Sequence, residues 1–307
     1  MRPRVVGRMR NTERSNIMIL IRCLLAAALL VLPAFAAEPL AKVVVALKPD
    51  KNPEQMLAER KTFKTFLAGK LGKPVEVQIP LSSAVILEGF ANGTIDVGYL
   101  SATDMLNARE RKLATILLAG EIDGKPSYQS YWVALKEKPY TSVEELRARP
   151  VAFSSKTSTS GFVIPLYDLH RKGLVSAKGD PEEFFGKGNV WFGTGYVSAI
   201  ERVLKGEAEA AAVSYYVLDK DKHLSAEQRA RLEKVTAQGP VPTHVLAVRG
   251  TMAPADREVL LAAFDALNEP ANQELRDRLF TSRLIPVNEE EHLRSIAEAM
   301  KLVRGAK

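Results

Sequence analysis

The chain has 307 residues, 46% hydrophobic and 26% charged, an ordinary globular balance that excludes a disordered or low-complexity protein. The formal net charge of +7 belongs largely to residues 1–36, which hold six arginines and one glutamate; the remainder carries only +2, so binding of nucleic acid is not implied. The one cysteine, Cys23, lies in the same segment, which removes disulfides and thiolate metal sites from the rest of the chain.

Residues 1–36 read as an export signal. Arg22 leads into an apolar run, residues 23–32, followed by Pro33-Ala-Phe-Ala-Ala37, a small-residue cleavage site. The run is too short to span a membrane stably, and Met18 fits the start of such a signal. Cleavage near Ala36 predicts a periplasmic protein of about 270 residues, room for two lobes of ordinary size. Residues 42–47 are a short apolar run and predict a buried strand. Residues 53–71 carry Met56, Leu57, Phe63, Phe66 and Leu67 near helical spacing, with Gly72 as the stop. Residues 75–79 alternate as a strand, and further strands are predicted at 94–100, 130–135, 151–153, 189–192, 210–213 and 243–248. Ser142-Val-Glu-Glu145 is a capping box, and Asp180-Pro-Glu-Glu183 starts a helix with proline in its first turn. Residues 253–268, 269–281 and 288–303 predict helices. Strands interleaved with helices imply an α/β fold with mixed, mostly parallel sheets.

One segment repeats without a gap at an offset of 113 residues. Leu87-Glu-Gly-Phe-Ala-Asn-Gly-Thr-Ile-Asp-Val-Gly-Tyr-Leu-Ser101 matches Ile200-Glu-Arg-Val-Leu-Lys-Gly-Glu-Ala-Glu-Ala-Ala-Ala-Val-Ser214. Each copy reads as helix, glycine stop, acidic residue, buried strand and terminal serine. Asp96 and Glu209 read as turn and strand-edge residues. The repeat suggests two similar lobes facing a cleft, with Ser101 and Ser214 at the carboxyl ends of strands, where ligands of open α/β sheets gather.

The run from Phe153 to Pro165 starts as a strand, passes through Ser158-Thr-Ser-Gly161 and opens into an apolar segment. A loop entering a helix there would converge hydroxyls and free N–H groups on one point, which suits an oxyanion. The plainer alternative is that Ser158 or Thr159 merely caps the helix. Gly193-Thr-Gly-Tyr196 is a second strand-to-helix turn that brings Thr194 and Tyr196 into consideration.

With these pieces in order, the sequence resembles the substrate-binding proteins of phosphonate, phosphite and phosphate ABC importers. The resemblance covers nearly all of residues 42–300. It rests on Pro49-Asp-Lys-Asn-Pro53, Asp96-Val-Gly-Tyr-Leu-Ser101, residues 123–132, residues 189–204 and 212–219, and above all Ser158-Thr-Ser-Gly-Phe-Val-Ile-Pro165. It implies the two-lobed type II periplasmic-binding-protein fold with a two-strand hinge. The lobes would be 37–130 with 247–307, and 131–246. By this resemblance Ser158, Thr159 and Ser160 donate to a small anionic ligand, Tyr128 and Tyr196 complete the shell, and Ser101, Ser214, Thr194 and Leu100 line the cleft. For both tyrosines, packing between the lobes is the alternative. The implied partners are an inner-membrane permease and its ATPase, with the receptor a monomer. Related proteins commonly carry histidine and an acidic residue at Tyr196-Val197, aspartate at Ser214 and an aromatic residue at Leu100. An acidic acceptor recognises a protonated oxygen or an amine, so its loss points away from the common aminoalkylphosphonate.

No enzyme is expected. His170, His223, His244 and His292 have no metal-ligand spacing, no G-x-S-x-G occurs, and Gly193-Thr-Gly195 lacks the third glycine of a dinucleotide site, so neither metal nor cofactor is expected. His244 sits near the predicted hinge and reads either as a hinge or ligand residue or as an ordinary satisfied histidine. A sensor signalling to a membrane kinase is the alternative function; an enzyme on the same scaffold is a weaker one.

Overall fold

The computed structural model describes residues 40–47, 53–220 and 223–305, and the side chains of these except 53–59. The predicted signal segment, residues 48–52, and the side chains of Met56 and Leu57 lie outside the described residues. In chain order the elements are β1 (Val43–Ala46), α1 (Pro53–Leu71), β2 (Val75–Gln78), α2 (Ser83–Asn92), β3 (Val97–Leu100), α3 (Ala102–Glu110), β4 (Ala114–Glu121) and β5 (Ser127–Leu135). After a 3-10 turn (Val143–Leu146) come β6 (Val151–Phe153), a π-helical turn (Thr159–Val163) running into α4 (Ile164–Arg171), α5 (Glu182–Phe185), β7 (Val190–Phe192), α6 (Tyr196–Leu204) and β8 (Ala210–Ser214). The chain ends with α7 (Tyr216–Asp219), α8 (Ala226–Ala230), β9 (Leu232–Pro242), β10 (Val245–Arg249), α9 (Pro254–Asp265), α10 (Gln273–Asp277), β11 (Arg283–Ile285) and α11 (Glu289–Gly305).

The strands form two mixed sheets, ordered β11-β4-β10-β3-β1-β2 and β9-β5-β8-β6-β7. Without β11 the two orders correspond strand for strand. β3 pairs parallel with β1 and antiparallel with β10, and β8 pairs parallel with β6 and antiparallel with β5. The repeat in the sequence is therefore the centre of each sheet. Its glycine stops, Gly93 and Gly206, have φ of 74° and 73°, the left-handed region that ends a helix with no Cβ penalty.

Three strands form where the sequence pattern predicts none. The apolar run of β4 is buried on both faces and so shows no alternation. β9 contains Gly239, Pro240 and Pro242, which argue against a strand, but it lies at a sheet edge, where the missing proline N–H groups interrupt no ladder. β11 is a three-residue edge strand on β4. All three add antiparallel pairs, so the returning strands share each sheet with the parallel ones.

The chain crosses between the sheets at β4–β5 and at β9–β10. Thr243 ties the two crossings, its hydroxyl reaching the carbonyl oxygens of Gly120 at 2.6 Å and Pro126 at 3.1 Å. His292 Nε2 lies 3.1 Å from the Thr243 carbonyl oxygen, and burial holds this imidazole below its ordinary range although that carbonyl opposes the shift. Helix α11 lies across α3 and α4, and its Leu293 and Ile296 share an apolar cluster with Met105 of α3 and with Trp132 and Phe153 of the second sheet.

Candidate anion-binding cleft

A cleft of about 790 Å³ opens where the carboxyl ends of the parallel strands of both sheets approach each other. Ser82, Ser83 and Leu87 follow β2, Asp104 and Asn107 follow β3, Ser154, Ser155, Thr157 and Ser158 follow β6, and Thr194, Tyr196 and Ser198 follow β7. Among the described residues the lining holds one carboxylate, Asp104, two histidines, His223 and His244, and no lysine or arginine. A cavity of about 590 Å³ at the hinge, walled by Pro126, Pro240, Pro242 and Pro286, has no comparable set of hydroxyls and lies away from these strand ends.

The Ser158 loop is built by close packing. Ser154 N–H donates to the Gly161 carbonyl at 3.0 Å, and Ser154 Oγ donates to the Ala212 carbonyl of β8 at 2.9 Å. A Cβ at Gly161 would stand 2.4 Å from the Ser154 side chain and 2.7 Å from Ser158 Oγ, so only glycine fits. Ser158 caps the turn, its Oγ accepting from Gly161 N–H at 3.0 Å. The capping alternative thus describes the local geometry, and it leaves the Ser158 hydroxyl hydrogen available to a ligand, since the oxygen is the accepting atom.

Ser160 is buried and lies 2.7 Å from the Tyr196 hydroxyl; Tyr128 donates to the same Ser160 Oγ at 3.3 Å. When Ser160 passes its own hydrogen to Tyr196, the Tyr196 hydrogen is left to donate into the cleft. Burial raises the Tyr128 phenol well above its ordinary range, with the neighbouring Tyr196 adding to the effect, so it is a donor across any working pH. Tyr128 also lies against His244, with rings 6.5 Å apart and 17° between planes, and His244 stacks on Tyr99 at 5.2 Å.

The other sequence-predicted residues occupy varied places. Thr159 is buried outside the lining, its hydroxyl 2.8 Å from that of Thr103 at the start of α3, a direct contact between elements of the two sheets. Thr194 is exposed at the rim, and its N–H and that of Gly195 both donate to Ser198 Oγ, at 3.0 and 3.2 Å, so these amides are already engaged. Leu100 is fully buried in the core. Ser101 is the N-cap of α3, and its hydroxyl donates to Asp104 Oδ2 at 2.6 Å. Ser214 is fully buried without a hydrogen bond of normal geometry, although it lies close enough to Tyr128 to influence that phenol.

Sequence reasoning missed Asp104, Ser83 and Ser154. Ser101-Ala-Thr-Asp104 has the S-x-x-D form of a capped helix start, which by itself explains all four residues. Ser83 Oγ donates to Asp104 Oδ2 at 2.8 Å across a sequence separation of 21 residues, a meeting no local pattern reveals. Among the described residues no group of three His, Cys, Asp or Glu side chains is placed to hold a metal ion.

Residues 45–292 match the family described as "ABC transporter, phosphonate, periplasmic substrate-binding protein". A curated relative, the Phosphate-import protein PhnD of Mycolicibacterium smegmatis, is 23% identical over 184 residues, 58% of this chain and 56% of that protein. The chain therefore spans little more than half the length of that relative. PhnD1 of Prochlorococcus marinus, solved in complex with methylphosphonate, superposes with a TM-score of 0.73 at 18% identity, covering 86% of this chain and 99% of that one. XAC2383 of Xanthomonas citri, solved with chloride, gives 0.72 at 20% identity over 86% and 99% of the two chains. At these identities the structural matches establish the two-lobed fold.

Proposed function

This chain belongs to the phosphonate family of periplasmic substrate-binding proteins of ABC transporters, binding proteins rather than enzymes, and from that premise we propose that it captures a small phosphonate-like oxyanion in the cleft between its sheets. The observation that carries this reading is the lining: hydroxyls from several strand ends meet there, with no lysine or arginine among the described residues. Oriented O–H and N–H donors replace the water around an oxyanion without a full countercharge, which holds the ligand yet permits its release. Ser158, Ser160 and Tyr196 are the donors nearest that task, with Tyr128 behind them; Ser155, Thr157 and Thr194 border the same space.

The two lobes follow the two sheets, and they close about the crossings braced by Thr243. The closed receptor, a monomer exported after cleavage near Ala36, hands its ligand to an inner-membrane permease driven by an ATPase. A thermal-shift panel of phosphate, phosphite, methylphosphonate, 2-aminoethylphosphonate, sulfate and acetate tests the reading. Ligand at a hundred times its dissociation constant stabilises the native state by about 2.7 kcal/mol, enough to move the melting point visibly. The expected result is a shift with at least one phosphorus oxyanion that disappears in Ser158→Ala/Tyr196→Phe. A flat response across the panel, or a shift that survives that double substitution, would sink the proposal.

A further inference from the structure

Leu279 and Phe280 are consecutive, yet their side chains belong to different sheets. Leu279 lies in the apolar cluster of the first sheet with Tyr99 and Leu284, whereas Phe280 packs on the cluster of the second sheet that holds Tyr216 and Leu224. The turn between α10 and β11 is fixed to the first sheet on both sides of Phe280. The Tyr99 hydroxyl of β3 donates to the Leu279 carbonyl at 2.5 Å, and Thr281 Oγ1 accepts from the Glu121 N–H of β4 at 2.7 Å. Phe280 itself has a φ of 52°, in the left-handed region, where a bulky L-residue is strained and glycine is not.

The ring arrives on aromatic faces. Phe280 and Tyr216 lie 4.8 Å apart with 14° between planes, and His223 lies 6.0 Å from Phe280 at 22°. Tyr216 is buried at the start of α7, just after β8, and meets Tyr196 edge-on at 5.6 Å and 85°. Ring contacts therefore run from a turn of the first sheet to the Tyr196 donor, none of them through the crossings at the hinge. The Thr103–Thr159 hydroxyl pair is a second direct contact between elements of the two sheets.

We infer that Phe280 is a latch between the lobes, carried by the first and seated on Tyr216 and His223 of the second, and that through Tyr216 it steadies the Tyr196 hydroxyl. The latch involves no ligand atom; its effect on binding rests on the oxyanion reading above. A rotation that parts the lobes about the crossings pulls the ring from its stack and leaves a large apolar face to water. Closing restores the stack, and an aromatic pair contributes beyond the area it buries. Glycine would suit the backbone at this position better, and the seat on the second lobe is what glycine cannot supply. The strain at Phe280 is thus the cost of aiming a side chain of one lobe at the other.

Small-angle scattering and thermal melts of the ligand-free protein test the latch. Phe280→Gly removes the ring and also relieves the backbone, so the variant should melt close to wild type and yet show a larger radius of gyration. Phe280→Trp, which retains a flat face, should keep the wild-type radius. Equal radii for wild type and Phe280→Gly overturn the inference, as does an expansion that Phe280→Trp shares. If Phe280→Gly does not fold, Phe280→Leu decides in the same way, because it keeps apolar bulk without a face to stack. With methylphosphonate as the probe, Phe280→Gly should release it about tenfold faster than wild type, the contribution of one aromatic stack, with association little changed. An unchanged dissociation rate overturns the inference as well. Failure of the wild-type protein to bind methylphosphonate counts against the oxyanion reading alone and leaves the scattering result to decide the latch.

Discussion

Ser101 and Ser214 end equivalent strands, β3 and β8, and their surroundings differ. Ser101 accepts from the Asp104 N–H as an N-cap and donates to the Asp104 carboxylate, so every part of it is used within its own half. Ser214 is fully buried beside Tyr128 and makes no hydrogen bond of normal geometry. The first half spends its hydroxyls on holding a carboxylate in position. The second half groups Ser158, Ser160 and Tyr196 so that hydrogens remain for a guest. Two copies of one helix–strand unit have thus diverged in how they use their hydroxyls, the first engaging them within its own half and the second leaving hydrogens toward the cleft.

The acidic residue before each strand gives the sharpest way to test how far the copies have diverged. Asp96 accepts from Val44 N–H of β1 at 2.9 Å and pairs with Arg249 at 2.9 Å, with side-chain exposures of 7% and 17%. Glu209 meets Lys138 at 2.9 Å and Tyr140 at 3.0 Å nearer the surface. Asp96→Ala should cost about 2–4 kcal/mol because it strands a partly buried guanidinium and a buried N–H, whereas Glu209→Ala should cost at most about 1 kcal/mol. Denaturant midpoints decide; equal losses would mean the two pairs do the same job. For Glu209, burial pushes the carboxyl up, but the hydrogen bonds from Lys138 and Tyr140 and the charges of Lys138 and Arg149 outweigh it and leave the carboxyl below its usual range. A lowered carboxyl favours the fold above its unfolded-state value. The stability gap between wild type and Glu209→Gln should therefore narrow as pH falls through the acidic carboxylate range.

A second contrast lies inside the strands. Gly98 and Ala211 are equivalent in the repeat, as are Phe90 and Val203, and Ile86 and Ala199 stand at the same offset one residue before it. A Cβ at Gly98 would meet Ile86 and Phe90 at 2.7 Å, so the larger helix side chains of the first copy leave room only for glycine on the strand. Ala211 sits in a cluster with Ala199 and Val203, where the helix side chains are smaller. Gly98→Ala should destabilise by about 1–3 kcal/mol. Combining it with Phe90→Val should cost less than the sum of the two single changes, a coupling that a double-mutant cycle measures. Strict additivity would refute the volume exchange.

The parts of this molecule that were legible in the sequence are the local ones. The bounds of α1 and β6, the capping box at Ser142 and the two glycine stops each follow from a few adjacent residues. The gapless repeat made the correspondence of the two sheets legible as well, because the same pattern must bury the same strand. β4 was not legible: buried on both faces, it lacks the alternation that marks a strand. β9 was hidden by prolines that only an edge position tolerates. The cleft was half legible. The Ser158 loop stands out because several hydroxyl residues precede the helix together, whereas Asp104 is indistinguishable from a routine member of a helix cap until Ser83 and the opposite wall arrive through the fold.

The smallest expected effect bears most directly on the two serines. Ser101→Ala removes an N-cap and one of the two hydroxyls on Asp104, and should cost about 1 kcal/mol. Ser214→Ala removes a buried hydroxyl without a normal hydrogen bond, and the structure should be unharmed or gain up to about 1 kcal/mol, since its desolvation is no longer uncompensated. Thermal melts in the absence of ligand should therefore place Ser101→Ala below wild type and Ser214→Ala at or above it. If Ser214→Ala instead melts as far below wild type as Ser101→Ala, the Ser214 hydroxyl has a partner in solution, and the nearest group able to serve is the Tyr128 phenol. In that case adding Tyr128→Phe should cost less in the Ser214→Ala background than in the wild type. The second half would then hold its strand end as firmly as the first.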